Sequence, residues 1–159
     1  ISLFHQTGNQ LNAQINTGLQ FHIFTSFVSY GFLGLASMQA ILLFYQEKKL
    51  HNVKHSTFLT LFPPIEVMEK VMFELIIIGF ITLTLSLLSG IPFVVIKPDS
   101  ILLQKIFFSV VAWSTFAYLI VQRYSAGVRG KRAVTITLSG IIFLLLSYLG
   151  IKFFFEFIQ

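Results

Sequence analysis

Four long apolar stretches dominate the chain, at residues 21–45, 71–96, 101–121 and 133–155. A bilayer core about 30 Å thick is crossed by roughly 20 apolar residues of helix, and each stretch reaches that length. Backbone groups in lipid must find hydrogen-bond partners within the protein, which favours helices. The pattern therefore predicts an all-α polytopic membrane protein, an antiparallel bundle of four transmembrane helices.

Composition supports this prediction. The mean hydropathy is +0.83 and only 11% of residues are charged, too few polar residues to coat a soluble globule. The chain has no cysteine, which excludes disulfides and thiolate chemistry among its 159 residues. We interpret the 19 phenylalanines as lipid-facing bulk rather than a binding platform.

The net charge of +5 is distributed unevenly. Two loops carry most of the basic residues: Lys48, Lys49 and Lys54 between the first two stretches, and Arg123, Arg129, Lys131 and Arg132 between the last two. Basic loops on alternate sides follow the positive-inside rule. We therefore expect both termini on the outer face (the periplasm, in a bacterium), contact with the lipid bilayer, and no nucleic-acid partner.

The chain divides into two parts. Residues 1–20 are polar and carry no Lys or Arg, and we expect an outer-face segment there, followed by a four-helix transmembrane domain over 21–159. The first residue is Ile1 and the segment does not resemble a signal peptide, so we expect further transmembrane helices upstream. Pro63 and Pro64 predict the start of the second span, and Gly90 and Pro92 an outer turn.

Small residues recur at steps of three and four in the apolar stretches, which predicts close helix contacts. They are Ser26, Gly34 and Ser37 in the first, Gly79, Thr82, Ser86 and Ser89 in the second, and Gly140, Ser147 and Gly150 in the fourth.

His22 is the leading candidate for chemistry. It lies at the outer end of the first span and shares a helical face with Ser26, Tyr30 and Gly34, each four residues further on. A histidine near a membrane interface can ligate haem iron through a neutral imidazole nitrogen. The alternative is an interfacial histidine hydrogen-bonded to a neighbour or to water.

Other polar residues are weaker candidates. His5 lies in the outer segment, and His51 and His55 lack a third ligand, so we expect no metal site. Glu74 lies inside the second span and can pair with Lys70 one turn earlier. No catalytic motif is present, and we expect a protein that is not an enzyme.

Seven collinear segments resemble the integral membrane cytochrome c assembly family, which includes CcmC and CcsA proteins, and above all its YpjD/HemX-like branch. They are FHIFTSFVSY at 21–30, FPPIEVME at 62–69, GFITLT at 79–84, LLSG at 87–90, KIFFSVVAW at 105–113, GVRGKRA at 127–133 and YLG at 148–150.

The resemblance implies a protein of the bacterial inner membrane that moves or holds haem b at the outer face. His22 matches the first of the family's haem-ligating histidines. Three features depart from the family pattern. The tryptophan-rich haem segment is absent, and Gln104 stands where many relatives have histidine. The final outer-face histidine of the CcsA-type proteins has no counterpart near residues 153–159.

Three functions follow as hypotheses. The first is haem binding or haem-linked regulation at His22, with Ser26 and Tyr30 offering hydroxyls to a propionate or to the imidazole N–H. The second is a haem-free accessory or regulatory subunit that keeps the fold and contacts other membrane proteins. The third is a small proton-coupled transporter that uses Glu74.

Overall fold

The computed structural model describes the backbone at residues 2–52, 63–96 and 100–158, and the side chains at 17–49, 63–92 and 102–148. Within those residues the regular structure is entirely helical. The four helices are α1 (Ser2–Asn52), α2 (Ile65–Ile96), α3 (Ser100–Ala126) and α4 (Gly130–Ile158).

All four helices are long and apolar enough to cross a bilayer: Thr17–Lys49, Ile65–Pro92, Leu102–Ala126 and Gly130–Tyr148. Many large apolar side chains are exposed on their outer surfaces, among them Phe27 at 78% and Phe24 at 67%. Such a surface is compatible with lipid and not with water. The predicted all-α membrane bundle of four helices is confirmed.

Local sequence explains where α2 begins and where α3 turns into α4. The Pro64 carbonyl accepts hydrogen bonds from the Val67 and Met68 N–H groups, so the predicted proline start is confirmed. Between α3 and α4 the backbone turns at Gly127 and Gly130, which have φ of 62° and 58°. Side chains with a Cβ rarely adopt that left-handed conformation, so glycine suits both positions.

One boundary differs from the predictions. Helix α2 continues through Gly90 and Pro92 to Ile96, although those residues predicted a turn. Proline removes one backbone hydrogen bond, and the rest of the helix still satisfies its own polar groups. The backbone of the polar segment is also helical from Ser2 and runs without interruption into the first span. The proposed division at residue 20 stays a prediction.

The helices form two hairpins, α1 with α2 and α3 with α4. Helix α1 also packs against α4, whereas α2 and α3 make the fewest contacts of these neighbouring pairs. We call the end where α2 begins and α3 ends the basic end, and the opposite end, where α2 ends and α3 begins, the far end.

Two glycines allow the close packing that the small-residue stripes predicted. A Cβ at Gly79 would lie 2.7 Å from Leu33 Cγ, and one at Gly140 would lie 2.8 Å from the Phe116 ring. Gly34 has no such neighbour within 4 Å, so its place in the stripe does not reflect a close contact. Helix α1 therefore packs closely against α2 at Gly79, and α3 packs closely against α4 at Gly140.

The interpretation of phenylalanine as lipid-facing bulk is wrong for two residues. Phe116 is fully buried, and Phe73 is 6% exposed. Phe116 fits the core because Gly140 has no side chain to oppose its ring. The phenylalanines at positions 21, 24, 27, 44 and 107 are exposed as predicted.

A buried ion pair joins α2 to α3 near the basic end. Arg123 Nη1 donates to Glu69 Oε1 at 2.9 Å and to the Val128 carbonyl at 3.0 Å. Its guanidinium also stacks 4.4 Å from the centre of the Phe73 ring. The Glu69 side chain is 7% exposed and that of Arg123 22%. We call these four residues the clasp, because they tie α2, α3 and the following turn together.

Candidate functional site

A cavity of about 530 Å³ opens at the far end of the bundle, and all four helices line it. We call it the far-end cavity. Its walls are largely apolar, formed by leucine, isoleucine and phenylalanine side chains. The polar lining residues are His22, Ser26, Tyr30, Ser86, Lys105, Ser109, Ser147 and Tyr148. The three candidates that the sequence placed on one face of the first span thus line the same cavity.

His22 is held against α2. Its Nδ1 atom lies 2.9 Å from the Ser86 carbonyl oxygen and 3.2 Å from Ser89 Oγ. A carbonyl oxygen only accepts hydrogen bonds, so Nδ1 is the donor in the contact with Ser86. This is the arrangement in which a histidine Nδ1–H is fixed by a backbone carbonyl and Nε2 serves as a metal ligand.

Gly90 makes room for the imidazole. A Cβ at position 90 would lie 3.0 Å from His22 Cε1 and 3.3 Å from Nδ1. A side chain there would force the ring away from its position against α2. In the sequence Gly90 indicates only part of a turn, and no pattern there predicts that it packs against His22.

The Ser26 hydroxyl makes hydrogen bonds with the backbone of α1 and with α2 rather than with the imidazole. It donates to the His22 carbonyl at 2.7 Å and lies 2.6 Å from Ser86 Oγ. The i,i+4 spacing puts a serine hydroxyl over the carbonyl one turn earlier, which explains the first contact. The imidazole N–H is satisfied by Ser86 and Ser89, and a propionate contact by Ser26 stays a prediction.

Tyr30 lies deeper in the same cavity, close to the hydroxyls of Ser109 and Ser147. Those two hydroxyls are 2.8 Å apart, and Ser147 Oγ donates to the Lys105 carbonyl at 2.9 Å. The polar groups from α1, α3 and α4 thus meet along one wall of the cavity.

Lys105 lines the far-end cavity with an exposed side chain. It lies near the start of α3, at the end of the bundle where the cavity opens. A cation at that position can balance a negatively charged group on a ligand that is otherwise apolar. The cavity therefore combines an imidazole, an apolar body and a cation.

Trp113 packs inside the bundle. Its ring stacks on Phe80 with 5.4 Å between centroids, and Nε1–H donates to Thr84 Oγ1 at 2.9 Å. This contact joins α2 to α3 between the far-end cavity and the clasp. Its indole N–H is satisfied inside the bundle, which suits a tryptophan away from the interface.

The remaining candidates lie elsewhere. Glu74 Oε1 lies 3.9 Å from Lys70 Nζ, and both side chains are exposed rather than directed into the far-end cavity. The side chains of His5, His51 and His55 are outside the described residues. Among the side chains that the structure does describe, no three His, Asp or Glu residues lie close enough together to hold a metal ion.

Comparison with known proteins decides the family. The model of the family described as "Cytochrome C assembly protein" matches residues 2–159. The chain belongs to the cytochrome c assembly family. The resemblance found in the seven sequence segments is therefore confirmed.

Curated relatives of this family member are bacterial. "Inner membrane protein YpjD" of Escherichia coli (strain K12) is 32% identical over 133 residues, which cover 84% of this chain and 50% of the relative. An "Uncharacterized 28.8 kDa protein in nifR3-like 5'region" of Azospirillum brasilense is 25% identical over 137 residues, 85% of this chain and 51% of the relative. The chain spans about half the length of these relatives. No solved structure gives a significant match.

Proposed function

We propose that this member of the family is a bacterial inner-membrane protein that holds haem in the far-end cavity, with His22 as one axial ligand. Its role is binding or haem-linked regulation rather than enzymatic catalysis. The observation that carries the proposal is the Nδ1–H of His22 bonded to the Ser86 carbonyl inside an apolar cavity. The family and the name of the Escherichia coli relative support the location.

The residues of the cavity fit haem b. Its volume of about 530 Å³ falls in the range of roughly 300–1,000 Å³ common for ligand sites. The apolar walls suit a porphyrin, and Lys105 offers a cation to a propionate. Because Nδ1 donates to α2, Nε2 is the nitrogen of His22 that would ligate the iron.

Haem, when bound, supplies an iron centre whose coordination is completed by protein ligands. In this chain Ser86 and Ser89 orient the imidazole, Gly90 leaves space for it, and the walls of the cavity exclude water. A second protein ligand to the iron would be supplied by His5, by a part of the protein outside these 159 residues, or by a partner protein.

Haem titration of the detergent-purified full-length protein tests the proposal. We expect a Soret band in the wild type. In His22→Asn we expect the haem affinity to fall at least about tenfold, which is on the order of the effect of altered metal ligation. Asparagine keeps an N–H near the position of Nδ1, so the bond to Ser86 and the fold are retained while the iron ligand is lost.

His51→Ala is the matched control, and we expect it to bind haem as the wild type does. Equal haem affinity in His22→Asn and the wild type would refute the assignment of His22. A wild type that binds no haem would refute haem handling and leave the haem-free accessory subunit as the better hypothesis.

We also infer that both termini face the periplasm, because the two basic loops hold most of the Lys and Arg residues. In a cysteine-free full-length background, single cysteines at Asn12 and Asn52 should react differently with a membrane-impermeant thiol reagent on intact cells. We expect labelling at Asn12 and protection at Asn52. The reverse pattern would overturn this orientation and place His22 at the cytoplasmic face.

A further inference from the structure

A second, smaller cavity lies between α2 and α3 toward the basic end. Its volume is about 180 Å³. Helix α2 supplies Lys70, Phe73, Glu74 and Ile77, and helix α3 supplies Ile120, Arg123 and Tyr124. We call it the α2–α3 cleft. It shares no lining residue with the far-end cavity.

Three charged residues line the cleft: Lys70, Arg123 and Glu74. Arg123 is already engaged by Glu69 and by the Val128 carbonyl. Lys70 and Glu74 remain, and their side chains are 78% and 60% exposed with Nζ and Oε1 3.9 Å apart. That distance is at the limit of an ion pair, so each group keeps capacity for another partner of opposite charge.

These two charges lie where a helix enters the bilayer. Lys70 is five residues into α2, about 7.5 Å along the axis at 1.5 Å per residue. Tyr124 lies in the last turn of α3 and is 77% exposed, as expected for an aromatic side chain at a membrane interface. Charged groups exposed to lipid at this level are costly unless a headgroup or another charge meets them.

The walls below the charges are apolar. Ile77 lies one turn further into α2 than Phe73, and Ile120 one turn before Tyr124 on α3, so both lie closer to the bilayer centre. A lipid chain could lie along this apolar groove while its headgroup meets Lys70 and Glu74. Helices α2 and α3 contact each other less than the other neighbouring helices do.

We propose that the α2–α3 cleft binds an aminophospholipid of the phosphatidylethanolamine type. Its phosphate meets the Lys70 ammonium, its own ammonium meets the Glu74 carboxylate, and one acyl chain follows Ile77 and Ile120. A purely anionic headgroup would satisfy Lys70 and meet repulsion from Glu74. The paired opposite charges therefore favour a zwitterion that carries a hydrogen-bonding amine.

Native mass spectrometry of the full-length protein tests this lipid site. Detergent-purified protein is mixed with equal amounts of phosphatidylethanolamine, phosphatidylglycerol and phosphatidylcholine of matched chains. We expect preferential retention of phosphatidylethanolamine, and a loss of about threefold in Lys70→Gln and in Glu74→Gln, the size expected for an exposed ion pair. Glu66→Gln, an exposed carboxylate on the same helix outside the cleft, should retain it as the wild type does.

Three outcomes would overturn the proposal. The first is equal retention of all three lipids, and the second is stronger retention of phosphatidylglycerol in Glu74→Gln than in a wild type that shows no preference for phosphatidylethanolamine. The third is the same loss of phosphatidylethanolamine in Glu66→Gln. Excess phosphoethanolamine, a headgroup without chains, should fail to displace the bound lipid. Displacement by it would assign the cleft to a free phosphate compound instead. The result is independent of haem binding, which is measured at the other end of the bundle.

Discussion

Arg123→Gln is expected to destabilise the bundle by about 2–4 kcal/mol, because it leaves the Glu69 carboxylate buried without its cation. The Glu69 side chain is only 7% exposed, and its Oε1 atom lies 2.9 Å from Arg123 Nη1. The substitution also removes the hydrogen bond to Val128 and the stacking on Phe73. The range lies slightly below that of a fully buried pair because Arg123 is 22% exposed. Thermal unfolding of the purified protein in detergent measures the effect.

The double variant Arg123→Gln with Glu69→Gln should recover part of the stability, since it removes the uncompensated charge together with its partner. Arg129→Gln is the control, an exposed arginine six residues further along. We expect its unfolding temperature to stay close to that of the wild type. Equal effects of Arg123→Gln and Arg129→Gln would show that the clasp contributes nothing beyond surface charge.

Gly79→Val is expected to be the most disruptive single substitution between α1 and α2. A Cβ at this position would lie 2.7 Å from both Cγ and Cδ2 of Leu33, and 3.3 Å from the Leu33 backbone nitrogen. Leu33 is fully buried and the nearby backbone cannot yield without moving a helix, so overpacking should cost about 1–3 kcal/mol. The Gly79 carbonyl also accepts a hydrogen bond from Ser29 at 3.1 Å, which separation of the helices would lengthen.

Gly34→Val provides the matched control, since it makes the same chemical change at a site with nothing within 4 Å. Any general effect of replacing glycine by valine in a helix is common to both variants. Denaturant unfolding of the two proteins in the same detergent should therefore isolate the cost of the contact with Leu33. Indistinguishable midpoints would contradict the close packing at Gly79.

Local sequence patterns predicted those features of the fold and of the candidate site that depend on one helix alone. The number of spans follows from the length of the apolar stretches, and the shared face of His22, Ser26 and Tyr30 follows from the helical period. The Phe116 exception shows the limit of such patterns. Its burial depends on Gly140 of another helix, which no count of phenylalanines reveals.

The partners of the predicted site residues depend on how the helices are rotated against one another. Nothing near His22 in sequence indicates that Ser86 and Gly90, more than 60 residues away, hold its ring. The same holds for Glu69 and Arg123. The sequence predicts an ion pair between Glu74 and Lys70 instead, because their i,i+4 spacing is visible within one helix. Contacts across helices follow from the packing of whole surfaces, which one sequence does not specify.

Contacts between α2 and α3 hold the two helices together at separate levels along the bundle. The clasp fixes the two helices at the basic end, and the Trp113 contacts with Phe80 and Thr84 fix them further along. Beyond that point the far-end cavity lies between them. Residues 97–99 connect α2 to α3 at the end that contains His22, so the two helices are fixed to each other on both sides of the far-end cavity.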